Sequence, residues 1–129
     1  MLVGVPDSPN SEAYFYVRSS LLNTRTKCFL QLGQPTEAVA TARQAVREAN
    51  GSFPREVAFS QLRVGQAHAA AREPETAAHA LAEAADLAVS RPSKRLYDEL
   101  RRTRASLQPW QETSAVRELD ERLQAYQLG

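Results

Sequence analysis

An internal repeat of alanine-rich helix constrains this chain more than any other feature of its sequence. Two sets of four residues lie 39 positions apart: Ala38, Ala42, Ala45 and Ala49, then Ala77, Leu81, Ala84 and Ala88. Spacings of four, three and four place each set on one face of an α-helix. Small residues on that face let a second helix approach closely, and a repeat of this length is typical of stacked helical units.

The first repeat unit predicts a helical hairpin over residues 11–50. Its first helix is expected from about Ser11 to Gly33, which ends it. The apolar stripe of that helix consists of Val17, Leu21, Cys28 and Leu32. Pro35 fits the first turn of the second helix, and Asn50-Gly51 closes the hairpin.

The second unit predicts a hairpin over residues 53–90. Its first helix is expected from about Pro54 to Arg72, and Pro74 opens the partner helix. The stripe on the first helix consists of Val57, Val64, His68 and Ala71. Because one hairpin cannot bury both of its faces, the two units are expected to stack as a short solenoid.

A third helical pair is predicted over residues 93–127, with its turn at Pro109 and Trp110. Its apolar positions are Leu96, Leu100, Thr103 and Leu107, then Val116, Leu119, Leu123 and Tyr126. The last helix, VRELDERLQAY, carries charges outward, as a terminal cap requires. The sequence therefore predicts an all-α protein with one domain over residues 11–129, preceded by a disordered segment at residues 1–10.

Two segments resemble tetratricopeptide repeats: LGQPTEAVATARQA and VGQAHAAAREPETAAHALAEA. The residues that fit the repeat pattern are Gly33, Ala38, Ala45, Val64, Gly65, His68, Ala77 and Ala84. The resemblance implies a short right-handed superhelix of about three antiparallel hairpins. Thr26 and Arg72 depart from the pattern because each replaces a glycine, and the offset is five longer than the usual 34, with extra residues around Asn50–Pro54.

The closing run, LYDELRRTRASLQPWQETSAVRELDERL, is similar to the ends of actinobacterial helix-turn-helix regulators of the XRE type. In that group a helix-turn-helix reads DNA, and C-terminal tetratricopeptide repeats bind a peptide, small molecule or partner. No such DNA-binding segment is recognised before residue 11. The resemblance therefore implies the sensory or oligomerising part of a regulator, a fragment, or a stand-alone module. Fourteen arginines against two lysines agree with a GC-rich bacterial genome.

Composition and charge weigh against several classes of protein. Sixteen basic and fifteen acidic residues leave a net charge of +1, which argues against attachment to nucleic acid or anionic membrane by charge alone. A lone cysteine, Cys28, cannot form an internal disulfide, and the N-terminus lacks the pattern of a secretory signal. No apolar stretch approaches the roughly 20 residues needed to cross a bilayer. A reducing cytoplasm is the expected compartment.

Neither catalysis nor a cofactor is predicted, because the usual spacings of nucleophiles, metal ligands and phosphate loops are missing from the sequence. The two histidines, His68 and His79, are eleven residues apart and cannot easily share a metal ion. His68 stands at the position of a packing aromatic residue and is expected to be a buried structural histidine. Cys28 is expected to pack as a small hydrophobe, and Trp110 to anchor the terminal cap.

A basic segment over Arg91–Arg104 contains six bases and two acids, a local excess of four positive charges. The acids of the preceding helix are Glu73, Glu75, Glu83 and Asp86. They nearly balance that excess, which favours a solvated face with ion pairs between the two helices. The alternative is a site for an anion or an acidic peptide.

The tetratricopeptide resemblance also supplies candidate binding residues, because it implies that the first helix of each hairpin lines a concave surface. The positions that it aims inward are Ser20, Asn23, Lys27, Gln31, Phe59, Leu62, Gln66, Tyr97, Arg101 and Arg104. Side-chain amides would hold a peptide backbone there, while Lys27, Arg101 or Arg104 would receive a carboxylate.

These patterns predict a scaffold that binds a protein or peptide without chemistry. A nucleic-acid binder that uses the arginine-rich fifth helix is the first alternative, and an enzyme subunit is the second. Self-association is a further hypothesis, because Tyr14, Phe15 and Tyr16 are expected to be exposed near the N-terminus.

Overall fold

The computed structural model describes residues 12–49 and 54–127, which form six α-helices and one 3-10 turn. The helices are α1 (Glu12–Gln31), α2 (Pro35–Glu48), α3 (Pro54–Ala70), α4 (Pro74–Ser90), α5 (Lys94–Ala105) and α6 (Ser114–Ala125), and the 3-10 turn is Gln108–Trp110. These two ranges contain no strand, so the predicted all-α class is confirmed. The expectations for residues 1–10, for the turn at residues 50–53 and for the side chains of Tyr14, Phe15 and Tyr16 lie outside the described residues.

The helices pack as sequential pairs. Helix α1 packs on α2 and α3 on α4, while α2 also packs on α3 and so joins the first pair to the second. Helix α5 contacts both α3 and α4, and α6 lies mainly against α4. Helices α1, α3 and α5 are therefore neighbours along one side of the molecule.

The alanine stripes are buried, as the repeat predicts. On α2, Ala38, Ala42 and Ala45 are completely buried, and Ala49 just beyond the helix is half-buried. The corresponding set on α4, Ala77, Leu81, Ala84 and Ala88, is completely buried. The predicted apolar positions of α5 and α6 are buried as well, except for Tyr126, which is 37% exposed. The main core therefore lies between the second hairpin and the last two helices.

The predicted apolar stripe of α1 is wrong. Leu21 and Leu32 are 62% and 68% exposed, and Cys28 is exposed rather than packed. The buried face of α1 consists of Ser19, Leu22, Asn23 and Thr26. Helix α1 turns this mostly polar face inward because α3 presents polar side chains to it, so hydrogen bonds there take the place of apolar contacts.

The two hairpin turns have the same backbone. Gly33 and Arg72, which are 39 positions apart, have φ values of 70° and 62°. After α1, the amides of Gly33 and Gln34 donate to the carbonyls of Leu30 and Phe29, at 3.2 and 2.9 Å. After α3, the amides of Arg72 and Glu73 donate to Ala69 and His68, at 3.1 and 2.9 Å. This is the Schellman ending, in which glycine normally supplies the left-handed residue.

Gly65 marks the closest approach of α3 to α4. A Cβ atom added there would lie 2.6 Å from Cδ2 of Leu81, closer than carbon atoms pack. In the first hairpin the corresponding residues are Thr26 and Ala42, both completely buried. The two repeats therefore place the larger residue on different helices. In the first hairpin it is Thr26 on the first helix, with Ala42 on the second. In the second hairpin it is Leu81 on the second helix, with Gly65 on the first.

A methyl group at position 65 is expected to force α3 and α4 apart. Gly65→Ala should lower the free energy of unfolding by about 1–3 kcal/mol in urea denaturation. Combined with Leu81→Ala, it should cost less than the sum of the two single changes, because the shortened side chain leaves room for the new methyl group. Additive costs would contradict this account of the contact.

Position 72 offers a matched pair of variants for measuring backbone strain. The Arg72 guanidinium lies 5.5 Å from the ring centre of Trp110, and both Arg72→Gly and Arg72→Ala lose that contact. Only glycine relieves the left-handed strain, so the glycine variant should be more stable by about 1 kcal/mol in thermal or urea denaturation. Equal stability would mean that the backbone relaxes at this turn.

Candidate binding cleft between α1, α3 and α5

Polar side chains join α1 to α3. Ser20 Oγ and Asn23 Nδ2 each donate to Glu56 Oε1 at 3.2 Å, and Asn23 Nδ2 also donates to Ser60 Oγ at 3.1 Å. Ser60 Oγ in turn donates to the backbone carbonyl of Glu56 at 2.9 Å. The contact between the first two hairpins is therefore hydrogen-bonded along this side.

A buried ion pair joins α3 to α5. Arg63 Nη1 lies 2.6 Å from Glu99 Oε1, and the Arg63 side chain is only 3% exposed. Gln66 accepts from Arg63 Nη1 at 2.9 Å, and its amide donates to Glu99 and to Thr103 Oγ1 at 3.3 Å each. Removing one partner of such a pair would leave the other as an uncompensated buried charge, which is costly. The side chains of Arg63, Gln66, Glu99 and Thr103 therefore hold α3 and α5 at a fixed distance.

A cleft of about 330 Å³ opens between these two sets of contacts. Its walls are formed by Ser20, Asn23, Thr24, Lys27, Arg55, Glu56, Phe59, Arg63 and Arg95. We call this site the α1/α3 cleft. Four of the residues predicted from the sequence meet here, namely Ser20, Asn23, Lys27 and Phe59.

Two buried polar atoms of residues that line the cleft have no hydrogen-bond partner among the described residues: Asn23 Oδ1 and Arg63 Nε. Asn23 is 7% exposed and Arg63 is 2% exposed. An unsatisfied buried donor or acceptor costs about 1–3 kcal/mol, so such atoms are uncommon in folded proteins and call for an explanation.

The cleft carries excess positive charge. Lys27, Arg55, Arg63 and Arg95 face Glu56 within it, and Glu99 lies behind its wall. The guanidinium carbons of Arg63 and Arg95 lie 5.8 and 4.8 Å from the ring centre of Phe59. Phe59 therefore supports two cations at the floor of the cleft.

Glu99 stays ionised to lower pH than an ordinary glutamate. Burial raises the pKa of its carboxyl, but the hydrogen bond and charge of Arg63, the hydrogen bond of Gln66 and the charge of Arg95 outweigh burial. The net result is a pKa below the usual 4.5. The carboxylate is therefore the fixed anion that holds both arginines in place.

The other predicted binding residues do not join the cleft. Leu62 is completely buried because α3 is packed between α1, α2, α4 and α5, so its prediction as a surface residue is wrong. Gln66 binds Glu99 and Thr103, Gln31 is exposed at the end of α1, and the Tyr97 hydroxyl donates to the carbonyl of Ala88 at 3.2 Å.

Arg101 and Arg104 line a different depression, an open one of about 740 Å³ between α5 and α6. Arg104 forms two hydrogen bonds with the Asp120 carboxylate, at 2.5 and 2.8 Å, and Arg101 pairs with Asp98. This depression is larger than the α1/α3 cleft, but no unpartnered buried polar atom lies among its lining residues. We therefore take the smaller cleft as the candidate site.

The bases of the Arg91–Arg104 segment pair with acidic residues other than the predicted ones. Lys94 and Arg95 pair with Asp98 and Glu99 of their own helix, at 2.9 and 3.3 Å. The acids of α4 have different partners: Asp86 pairs with Arg122, and Glu83 accepts from Gln61. The expected ion pairs between α4 and α5 are therefore replaced by pairs within α5 and with α3 and α6.

Two further predictions are supported. His68 is 5% exposed, with Nδ1 2.9 Å from Glu73 Oε1 and Nε2 3.0 Å from Arg43 Nη2, so it is buried and hydrogen-bonded as expected. Trp110 is half-buried and packs against the main core beside the last helix, in agreement with a role as an anchor.

Sequence reasoning missed the buried arginine and its partners. Arg63 stands between Leu62 and Val64 on α3, and that placement is the signal that was available. Arg95 and Glu99 lie four residues apart in the basic segment of α5, but nothing in the sequence links them to Arg63 or Glu56, because only the packing of α1, α3 and α5 brings these residues together.

Among residues 12–49 and 54–127, no cluster of three or more His, Cys, Asp or Glu side chains is arranged to hold a metal ion. None of the helices in these ranges is both long enough and apolar enough to cross a membrane. No known protein family, curated protein or solved structure matches this chain.

The Arg63–Glu99 pair is expected to make stability depend on acid pH. Because the folded-state pKa of Glu99 is depressed, its contribution is present above the unfolded value of 4.5 and is lost as pH falls through the folded value. Glu99→Gln should lower the free energy of unfolding by about 2 kcal/mol or more at neutral pH. The variant should also lose less of its free energy of unfolding than the wild type when the solution is acidified, as measured by urea denaturation across pH. Glu121→Gln, at an exposed position of α6, is the control, and an equal effect there would contradict the assignment.

Proposed function

We propose that this protein is a scaffold that binds a segment of a partner protein or peptide in the α1/α3 cleft, without chemistry. The observation that carries the proposal is the cationic cleft itself, where four residues that the sequence predicted for binding, Ser20, Asn23, Lys27 and Phe59, come together.

A peptide segment with an acidic group has the matching chemistry. The positive charge of Lys27 and Arg55, both exposed, favours an acidic side chain or a terminal carboxylate in the cleft. The ring of Phe59 is buried beside the guanidinium groups of Arg63 and Arg95 and supports these two cations.

The tetratricopeptide resemblance supports the same reading. Paired helices, the recurring Schellman turns and the neighbouring positions of α1, α3 and α5 agree with a short right-handed superhelix whose first helices form the binding surface. Within this proposal the chain is the sensory or oligomerising part of a bacterial regulator, acting in the cytoplasm. The family assignment rests on the sequence segments quoted above.

The nucleic-acid alternative is less favoured. Four bases of α5, Lys94, Arg95, Arg101 and Arg104, already have acidic partners, so fewer positive charges are available for phosphates. The enzyme alternative has no supporting geometry, because the one carboxylate that lines the cleft, Glu56, is already hydrogen-bonded to Ser20 and Asn23.

Peptide selection tests the proposal. A random-peptide display library would be selected on the immobilised protein, and the affinity of a labelled selected peptide measured by fluorescence anisotropy. Lys27→Ala should weaken binding about three- to tenfold, because a charge-assisted contact at the partly exposed mouth of the cleft is lost. Arg91→Ala, an exposed change outside the cleft, is the matched control and should leave the affinity unchanged.

Two results would overturn the proposal. The first is a selected peptide whose affinity is the same for the wild-type protein and for Lys27→Ala and Arg55→Ala, with folding intact by circular dichroism. The second is a failure to select any peptide while a duplex oligonucleotide binds with a steep salt dependence, which is the expected behaviour of a phosphate-binding protein.

A further inference from the structure

Helix α1 and the residue after it carry an exposed stripe that faces away from the other described helices. Its residues are Val17, Leu21, Arg25, Cys28 and, just beyond the helix, Leu32, at spacings of four, four, three and four. Leu21 and Leu32 are 62% and 68% exposed, Arg25 and Cys28 are exposed, and Val17 is half-buried. Leu21, Leu32, Val89 and Tyr126 are the large hydrophobic residues exposed in the described ranges, so half of them lie on this one stripe.

The internal repeat shows what normally covers this face. Thirty-nine positions on, Leu21, Arg25 and Cys28 correspond to Ser60, Val64 and Ala67 of α3, which are 0%, 6% and 0% exposed. The preceding hairpin covers those residues: Asn23 Nδ2 donates to Ser60 Oγ at 3.1 Å, and Val64 packs with Ala42 and Val46 of α2. The same face of α1 has no such cover in the described structure.

The charges beside the stripe indicate the chemistry of a partner. Between Val17 and Leu32, helix α1 has no acidic residue, and its basic residues on or next to the stripe are Arg18 and Arg25, since Lys27 lies on the side of the cleft. Arg18 pairs with Glu48 of α2, at 2.5 Å, whereas Arg25 forms no ion pair with any described residue. A partner with acidic residues beside its apolar face therefore complements this surface.

A second copy of the chain fits less well. A two-fold pair of α1 helices would bring the basic residues of both copies together, with Arg25 near the centre of the stripe. A head-to-tail stack would need an apolar surface at the other end, but among residues 94–127 the one large hydrophobic residue that is exposed is Tyr126, and its hydroxyl bonds to Asp86 at 2.7 Å.

We propose that the stripe on α1 is a second interaction surface, which docks an amphipathic helix with small or apolar residues on one face and acidic residues beside it. The stripe covers four turns of α1, so the partner helix needs about sixteen residues to match it. This surface is separate from the α1/α3 cleft, because the cleft residues Ser20, Asn23 and Lys27 occupy a different face of α1. The inference therefore does not depend on the proposed function.

Two synthetic helical peptides test the proposal. Both carry the same alanine and leucine stripe; one has glutamate at the flanking positions and the other has lysine. Fluorescence anisotropy at low ionic strength should show that the glutamate peptide binds at least about tenfold more tightly. Binding should also slow the alkylation of Cys28 by iodoacetamide, because this thiol lies within the stripe.

Variants of the protein separate the apolar contribution of the stripe from the contribution of its charge. Leu21→Ser combined with Leu32→Ser should weaken the glutamate peptide about tenfold or more, and Arg25→Glu should reverse the preference between the two peptides. These exposed changes should leave circular dichroism and thermal unfolding nearly unchanged. Lys27→Ala, which tests the cleft, should have less than about a threefold effect on this peptide.

Three results would overturn the proposal. Equal affinity for the two peptides would mean that acidic residues beside the apolar face do not contribute to binding. Binding that survives the Leu21→Ser, Leu32→Ser double change would place the contact elsewhere. Light scattering that shows a dimer, lost in the same double variant, would identify a second copy as the occupant instead.

Discussion

The close contact between α3 and α4 sets the geometry on which the rest of the structure depends. Gly65 has no side chain, so Leu81 can enter the space that a Cβ atom would occupy, and the alanines of α4 remain completely buried. A tightly packed pair of helices changes little in shape when neighbours are added to it. The first hairpin and the last two helices both pack on this pair, so their positions follow from it.

A polar surface runs along the side formed by α1, α3 and α5, and it differs in kind from the alanine interfaces. Hydrogen bonds from Asn23 to Ser60 and the Arg63–Glu99 ion pair hold neighbouring helices together there. Buried polar groups contribute less net stability than apolar packing unless every partner is supplied. Two atoms in this network lack a partner, and such local departures from good packing are concentrated at functional sites.

The two ends of the helical stack present different surfaces. The outward face of α1 exposes Leu21 and Leu32 beside basic residues, whereas α6 buries Leu119 and Leu123 and turns charged residues outward. A repeat array can grow only at an end whose apolar positions remain uncovered. Among the described residues, the outer side of α6 is therefore charged, whereas the outward face of α1 leaves apolar side chains exposed.

The sequence by itself determined the helical hairpins, since alanine spacing, prolines at helix starts and Gly33 act through local backbone preferences. It also predicted the burial of His68, and the tetratricopeptide resemblance supplied Ser20, Asn23, Lys27 and Phe59, which the structure brings to the cleft. The sequence could not determine which face of α1 is buried. Hydrophobicity favoured Val17, Leu21, Cys28 and Leu32, but the polar side chains of α3 select Ser19 and Asn23 instead. Only the tertiary structure brings Arg63 of α3 to Glu99 of α5, because an ion pair between residues 36 positions apart leaves no local pattern, unlike the i, i+4 pair of Arg95 and Glu99.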